Sequence, residues 1–352
     1  MNKRSIYSLT LSDWEDFVIT NKQPKFRAAQ IFDWLYVKQV KNLDEMKNVP
    51  KNLKELIHNV FDFTTFDVEK HQEATDGTHK FLFKLADGNT IETVLMKQSY
   101  GLSICVTTQI GCRIGCSFCA SAIGGLVRNL EAGEIVAQIV HVARAIGERI
   151  SHVVVMGIGE PLDNYDALTA FINIINHDRG LNIGARHITV STSGIVPKIY
   201  EFADDHKQIS LAISLHAPND HLRATIMKIN RVYPLAELFK AIRYYLSVTN
   251  RRITFEYILM DEVNDREEHA YQLAKLLKGI NCHVNLIPMN PVKELGIGRS
   301  KKSQVTAFKA ILEKEKINVT QRRSVGEGID AACGQLRASE APVGEKFQVK
   351  DE

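Results

Sequence analysis

Cys112-Arg113-Ile114-Gly115-Cys116-Ser117-Phe118-Cys119 is the stretch from which the rest of the chain is read. It gathers three of the chain's six cysteines into one short loop. Gly111 and Gly115 let the backbone bend tightly around them. A structural zinc ion prefers four ligands, usually as two separated pairs. Here three cysteines cluster, and no histidine lies within the loop. Three thiolates on a four-iron cluster leave one iron open, and an open iron can bind a substrate, whereas a fully ligated cluster mainly transfers electrons. Two other readings stand beside this one: zinc completed by a distant fourth ligand, and a loop of buried cysteines with no metal.

Outward from the loop, the pattern from about residue 100 is strand, loop, helix, repeated. Candidate strands are 102–108, 152–156, 187–191, 209–215, 253–259 and 283–287. Helical spacing lies between them, for example at 131–146, 265–277 and 303–313. Six strands alternating with helices predict an α/β fold with a parallel sheet, open or curved into a partial barrel. In such sheets the chemistry lies beyond the C-terminal strand ends. The cysteine loop follows the first of these strands, and Gly157-Ile158-Gly159-Glu160-Pro161 follows the second. Ser191-Thr192-Ser193-Gly194 ends the third, Ser214-Leu215-His216 the fourth, and Asn290 the sixth. A glycine pair before an acid suits close backbone approach to a ligand with an amino group. Taken singly, the hydroxyls, the imidazole and the amide are more often capping or turn residues than ligands.

The first 75 residues read as helical. Ser12-Asp13-Trp14-Glu15 predicts a capping box, and Pro24 opens a second helix with Ala28, Ile31, Phe32 and Leu35 on one stripe. Leu53, Leu56, Ile57 and Val60 form a third stripe. Lys38, Lys41, Lys47, Lys51 and Lys54 crowd this region, as a solvated face or as a phosphate-contacting one. A hairpin follows: Phe81, Phe83 and Leu85 alternate, Asp87-Gly88 marks the turn, and residues 91–96 return, with Glu92 among them. Residues 337–352 read as a polar tail. The domain reading is thus 1–75, a hairpin extension 76–97 carrying Glu92, a core 98–336, and the tail.

The net charge of +3 permits a nucleic-acid partner without demanding one. No apolar run approaches the roughly 20 residues that span a bilayer, and no secretory signal is read at Met1. The expectation is a cytoplasmic protein, and there cysteines more often bind metal or act catalytically than form structural disulfides. Cys282 reads as a small buried apolar residue, and so would Cys105 by itself.

The loop's spacing, with an aromatic residue before its last cysteine, resembles the radical-SAM superfamily, in which one 4Fe–4S cluster binds S-adenosylmethionine (SAM). Over nearly its whole length the chain resembles the radical-SAM methyltransferases that modify adenosine in 23S ribosomal RNA and in transfer RNA. The likeness rests on Thr108 through Cys119, Gly157–Pro161, Ser191–Gly194, Ser214–Asn219, Asn285–Asn290, and Asp330-Ala331-Ala332-Cys333-Gly334-Gln335-Leu336. It implies a radical-SAM partial (β/α)6 barrel with a small N-terminal helical accessory domain and a β-hairpin linker.

The resemblance also implies a mechanism. Carbon 2 of adenine is electron-poor and cannot attack the methyl of SAM, so a radical must add to it. In the family a C-terminal cysteine, matching Cys333, takes a methyl from one SAM. A second SAM, cleaved at a cluster on Cys112, Cys116 and Cys119, supplies the radical that activates this methyl. A base matching Glu92 removes the ring proton. A cysteine matching Cys105 attacks the Cys333 sulfur, leaving a Cys105–Cys333 disulfide to be reduced before the next turnover. Gly159, Glu160, Ser191, Ser214, Leu215, His216 and Asn290 would contact SAM. The implied partners are 23S rRNA, tRNA and a cytosolic electron donor, with the enzyme a monomer. The lysine-rich N-terminal region and Arg322-Arg323 are candidates for phosphate contacts. Two alternatives stay open: methylation at carbon 8, as in the antibiotic-resistance relatives, and a non-catalytic iron–sulfur or zinc protein that binds RNA. Arg113-Ile114-Gly115 and Ser121–Gly125 look more like the carbon-2 type.

Overall fold

In the computed structural model, residues 3–63, 65–292, 294–322, 325–326 and 328–336 are described; Arg323 and the tail 337–352 lie outside them. In chain order the strands are β1 (Arg4–Ser5), β2 (Phe61–Asp62), β3 (Phe66–Glu73), β4 (His79–Leu85), β5 (Thr90–Gln98), β6 (Gly101–Cys105), β7 (Gln109–Gly111), β8 (Leu126–Asn129), β9 (His152–Val155), β10 (Ile188–Thr192), β11 (Ser210–Ser214), β12 (Ile253–Leu259), β13 (Cys282–Pro288) and β14 (Val319–Gln321). Ten of them form one sheet in the order β14-β13-β12-β11-β10-β9-β6-β5-β4-β3. From β14 to β6 every neighbouring pair is parallel. From β6 to β3 the pairing is antiparallel.

The helices are α1 (Leu11–Thr20), α2 (Phe26–Tyr36), α3 (Lys51–Val60), α4 (Ala132–Ile146), α5 (Tyr165–Asn176), α6 (Val196–Asp205), α7 (Asp220–Ile226), α8 (Leu235–Thr249), α9 (Glu267–Leu277) and α10 (Lys302–Lys314). At least one helix separates each pair of consecutive parallel strands, as parallel pairing requires. The central strands read as continuous apolar runs because the sheet is covered: Val153, Val155, Val190, Leu211, Ile213, Phe255, Val284 and Leu286 are fully buried. The N-terminal helices share this core. Tyr7 and Tyr36 are buried in it, and Arg144 on α4 donates to the Tyr7 hydroxyl at 3.0 Å.

The six anticipated core strands are present, and β14 is a seventh that the sequence reading did not include. Three other expectations are corrected. The first helix is capped by Thr10 with Asp13, not by Ser12. Val60 is 47% exposed, so the third stripe ends at Ile57. Residues 66–73, read as helical, form an antiparallel strand beside β4. With β3 to β5 in place, the hairpin is one continuous extension of the barrel sheet. Among the described residues, no helix is long and apolar enough to cross a membrane.

Candidate active site

The cysteine loop hangs from the β7–β8 ladder. Gly111 has φ of +73°, and a Cβ there would meet the Gly125 carbonyl oxygen at 1.9 Å, so only glycine fits. The Cys112 amide donates to the same Gly125 oxygen at 3.0 Å. Cys112, Cys116 and Cys119 then line one cavity with residues from the ends of β9 to β13. Burial, and then the charge of a neighbouring cysteine, push the Cys112 and Cys116 thiols upward. Phe118 packs edge-on against His216, with ring centroids 4.8 Å apart. Among the described residues no group of three or more His, Cys, Asp or Glu side chains could hold a metal ion as placed; the three cysteines share a cavity wall instead.

The opposite wall is made of strand ends. Gly159 has φ of +109°, and an added Cβ would meet the Gln109 side chain at 2.6 Å. Gln109 Oε1 accepts from the Glu160 amide at 2.7 Å, and Gln109 Nε2 donates to Asp163, which also pairs with Arg113 of the loop. Glu160 is buried, which raises its carboxyl; the amides of Ser193 (2.7 Å) and Leu162 (3.1 Å) donate to it and oppose that shift. Ser191, Ser214 and His216 line the same cavity. His216 Nδ1 accepts from the Ile258 amide at 3.1 Å, so the proton of the neutral ring sits on Nε2. Burial first, and then Arg223, hold this imidazole down to about 3. Leu215 is fully buried beneath this wall. Asn290 Nδ2 donates to the Cys333 carbonyl at 3.3 Å.

Two of the three remaining cysteines, Cys105 and Cys333, meet at the third side. Val94 on β5 and Cys105 on β6 are in register, and both line a cavity with Cys119, Asn290, Arg322 and Cys333. Both thiols are free. Glu92 lies two residues before Val94, on the same strand face. Glu92 does not face solvent, as a plain strand carboxylate would: it is 8% exposed and paired with Lys80 at 3.0 Å. Lys80 also donates to the Asp330 carbonyl, three residues before Cys333.

Comparison with known proteins decides what this arrangement belongs to. The Radical SAM superfamily model matches residues 106–274, and the ribosomal RNA large subunit methyltransferase N-terminal domain matches residues 5–62. A Bacillus cereus (strain B4264) protein described as a probable dual-specificity RNA methyltransferase RlmN is 59% identical over 343 residues, 97% of this chain and 95% of that one. The chain belongs to this family of radical SAM methyltransferases. A Bacillus cytotoxicus protein of the same description is 59% identical over 96% of this chain and 94% of its own length. The crystal structure of a radical SAM methyltransferase from Sphaerobacter thermophilus matches with a TM-score of 0.91 and 45% identity, over 95% of this chain and 99% of that one.

The cofactors of the family are a 4Fe–4S cluster and SAM, and the cavity fits them. It is a half-open cleft that brings Gly159, Glu160, Ser191, Ser214 and His216 onto one wall with the three cysteines. Its three thiols are the soft donors an iron–sulfur cluster takes. Glu256, 5% exposed on the same wall, has an Oε2 with no hydrogen-bond partner. A buried, unmatched acceptor is costly unless a ligand satisfies it.

The roles of two arginines escaped the sequence reading. Arg223 on α7 is fully buried and donates to the carbonyls of Ser193 (2.6 Å), Ser214 (3.1 Å) and Leu215 (3.1 Å) and to Asn230 Oδ1 (3.0 Å). It pins two strand ends together, and a lone arginine in a polar stretch gives no sequence signal for that. Arg322, read as a phosphate-contacting surface residue, instead lines the cavity of Cys105 and Cys333. The parallel pairing of β14 turns it inward.

Proposed function

We propose that the protein methylates carbon 2 of adenosine in 23S rRNA and in tRNA, through an S-methylcysteine on Cys333. The observation that carries this reading is the meeting of Cys105 and Cys333 on one cavity that adjoins the three-cysteine loop. A simple iron–sulfur RNA-binding protein has no use for a thiol pair at that place.

Cys112, Cys116 and Cys119 would hold the cluster, and the bound cluster and SAM would supply the radical chemistry that an electron-poor ring carbon needs. Gly159, Glu160, Ser191, Ser214, Leu215, His216 and Asn290 would hold the SAM. Glu160, oriented by two amide donors, suits the SAM ammonium group. The Nε2–H of neutral His216 offers a donor in a place where a charged ring would repel the sulfonium. Cys333 carries the methyl group. Glu92 takes the ring proton as general base, its carboxylate held by Lys80. Cys105 then attacks the Cys333 sulfur, frees the methylated base and leaves the disulfide. The adenosine reaches the cavity by leaving its stack, which favours loop targets in RNA. Lys41 and Lys47, in the connection between α2 and α3, and Lys51 at the start of α3 are exposed and suit contacts to RNA phosphates. We also read the protein as a cytoplasmic monomer reduced by a cytosolic electron donor.

The test is nucleoside mass spectrometry of 23S rRNA and tRNA after reaction with the reduced protein and SAM. 2-Methyladenosine is expected; 8-methyladenosine, or no methylated adenosine, overturns the assignment.

A further inference from the structure

We infer that Arg322 is a positioning residue that supplies the countercharge for thiol–disulfide exchange between Cys105 and Cys333. This rests on the two-cysteine reading above and adds the group that makes the exchange feasible. Arg322 shares a wall with both sulfurs in one cavity, with Glu256 and Cys333 in the cofactor cavity, and with Tyr100 and Glu256 in the polar cavity on its other side. Its main-chain amide donates to the Leu286 carbonyl at 2.8 Å, which fixes where the side chain starts. Among the described residues its guanidinium makes no hydrogen bond and no ion pair within 4.0 Å.

Such a cation, always charged, faces a thiol that needs one. Burial pushes the Cys105 thiol up to about 12, the neighbouring Cys333 adds to that, and Arg322 opposes it. Cys333 is half-buried, while Cys105 is 8% exposed, so Cys333 is the sulfur an incoming thiolate meets. When a dithiol restores the enzyme, its first thiolate bonds to the Cys333 sulfur. The S–S bond breaks, and its electron pair leaves on Cys105, where it takes up a proton. The second thiol then displaces Cys333, so the dithiol is oxidised to a cyclic disulfide and the cysteine pair is reduced. The slow element is a thiolate leaving into a dry wall, and the only described guanidinium on that wall is Arg322.

The experiment uses the full-length, cluster-loaded protein, oxidised mildly and anaerobically to the Cys105–Cys333 disulfide. Its reduction by dithiothreitol is followed by quenched alkylation and peptide mass. An opposite charge close to a thiol is worth about 1 to 3 pKa units, and a thiol of lower pKa leaves faster. Reduction is therefore expected about tenfold slower in Arg322→Met and within about threefold of wild type in Arg322→Lys. Arg322→Gln, polar but neutral, should match the methionine variant. The iron–sulfur absorbance shows that each variant keeps its site. Wild-type rates in Arg322→Met or Arg322→Gln overturn this inference and leave the cysteine pairing standing. Failure of the wild-type protein to form the disulfide overturns the pairing, and this inference with it.

Discussion

The two halves of the cavity are built differently. The cofactor half comes from the ends of parallel strands deep in the sheet. Arg223 ties three of its carbonyls to one buried guanidinium, and Glu160 is clamped by two amides. The thiol half depends on residues 325–326 and 328–336, which follow β14 and supply Cys333. That segment is held by scattered bonds: Ala120 amide to the Gly334 carbonyl (2.8 Å), Ser121 hydroxyl to the Leu336 carbonyl (2.7 Å), Asn290 to Cys333, Lys80 to Asp330, and the Gly326 amide to Asp76 Oδ2 (2.9 Å). A preorganised wall suits a cofactor whose reactive atom must be fixed. A separately hung wall suits the proposed role of Cys333, which serves SAM, the adenine and Cys105 in turn. The lesson is that one cavity can divide fixed and changing partners between sheet and chain end.

Separating the halves by mutation gives the largest contrast. Cys116→Ala should abolish both the cluster and SAM cleavage, read as iron content and 5′-deoxyadenosine. Cys333→Ala should keep the iron and lose all RNA methylation. Loss of iron in Cys333→Ala would erase the division. Next in size is Glu92→Gln, expected to slow methylation by about 10²- to 10⁴-fold, the range of a general base, with cluster content and SAM affinity unchanged. A rate within threefold of wild type would remove Glu92 from the chemistry. Arg223→Met strips donors from three carbonyls and Asn230, and should cost about 3 kcal/mol in chemical denaturation. Lys80→Met, on the thiol side, should cost clearly less. The smallest effect is a pH dependence. An ordinary imidazole titrates near 6.5, and His216 in the fold is held to about 3. Below about 6.5 the unfolded chain gains a proton that the folded protein refuses, so stability falls as pH drops from that value toward 3. Between pH 7 and 5.5 wild type should lose about 1 kcal/mol more than His216→Asn. Parallel pH profiles would contradict the buried neutral ring.

Much of this was legible in the chain. The alternation of β-branched runs with helical spacing marks the six core strands, and the glycines around Cys112 mark a loop that bends. Residues 66–73 were not legible, because four of the eight are charged and only pairing with β4 makes them a strand. β14 was missed for a similar reason: three residues, mostly polar, carry no period. In the site, the motifs at strand ends were visible because each pairs small residues with one chemical group. Arg223 and Arg322 were not, since an arginine's role depends on which side of the sheet its strand or helix presents. Glu92 sits between these cases: its strand was visible, its burial against Lys80 was not.

The central claim is that Cys333 carries the methyl group and Cys105 releases it. Peptide mapping by mass after anaerobic expression, comparing wild type with Cys105→Ala, tests it most directly. A methyl on Cys333 in wild type, and an RNA adduct trapped on Cys333 in the variant, are the predicted results. Unmodified Cys333 in both proteins, with cluster and SAM supplied, would contradict the account.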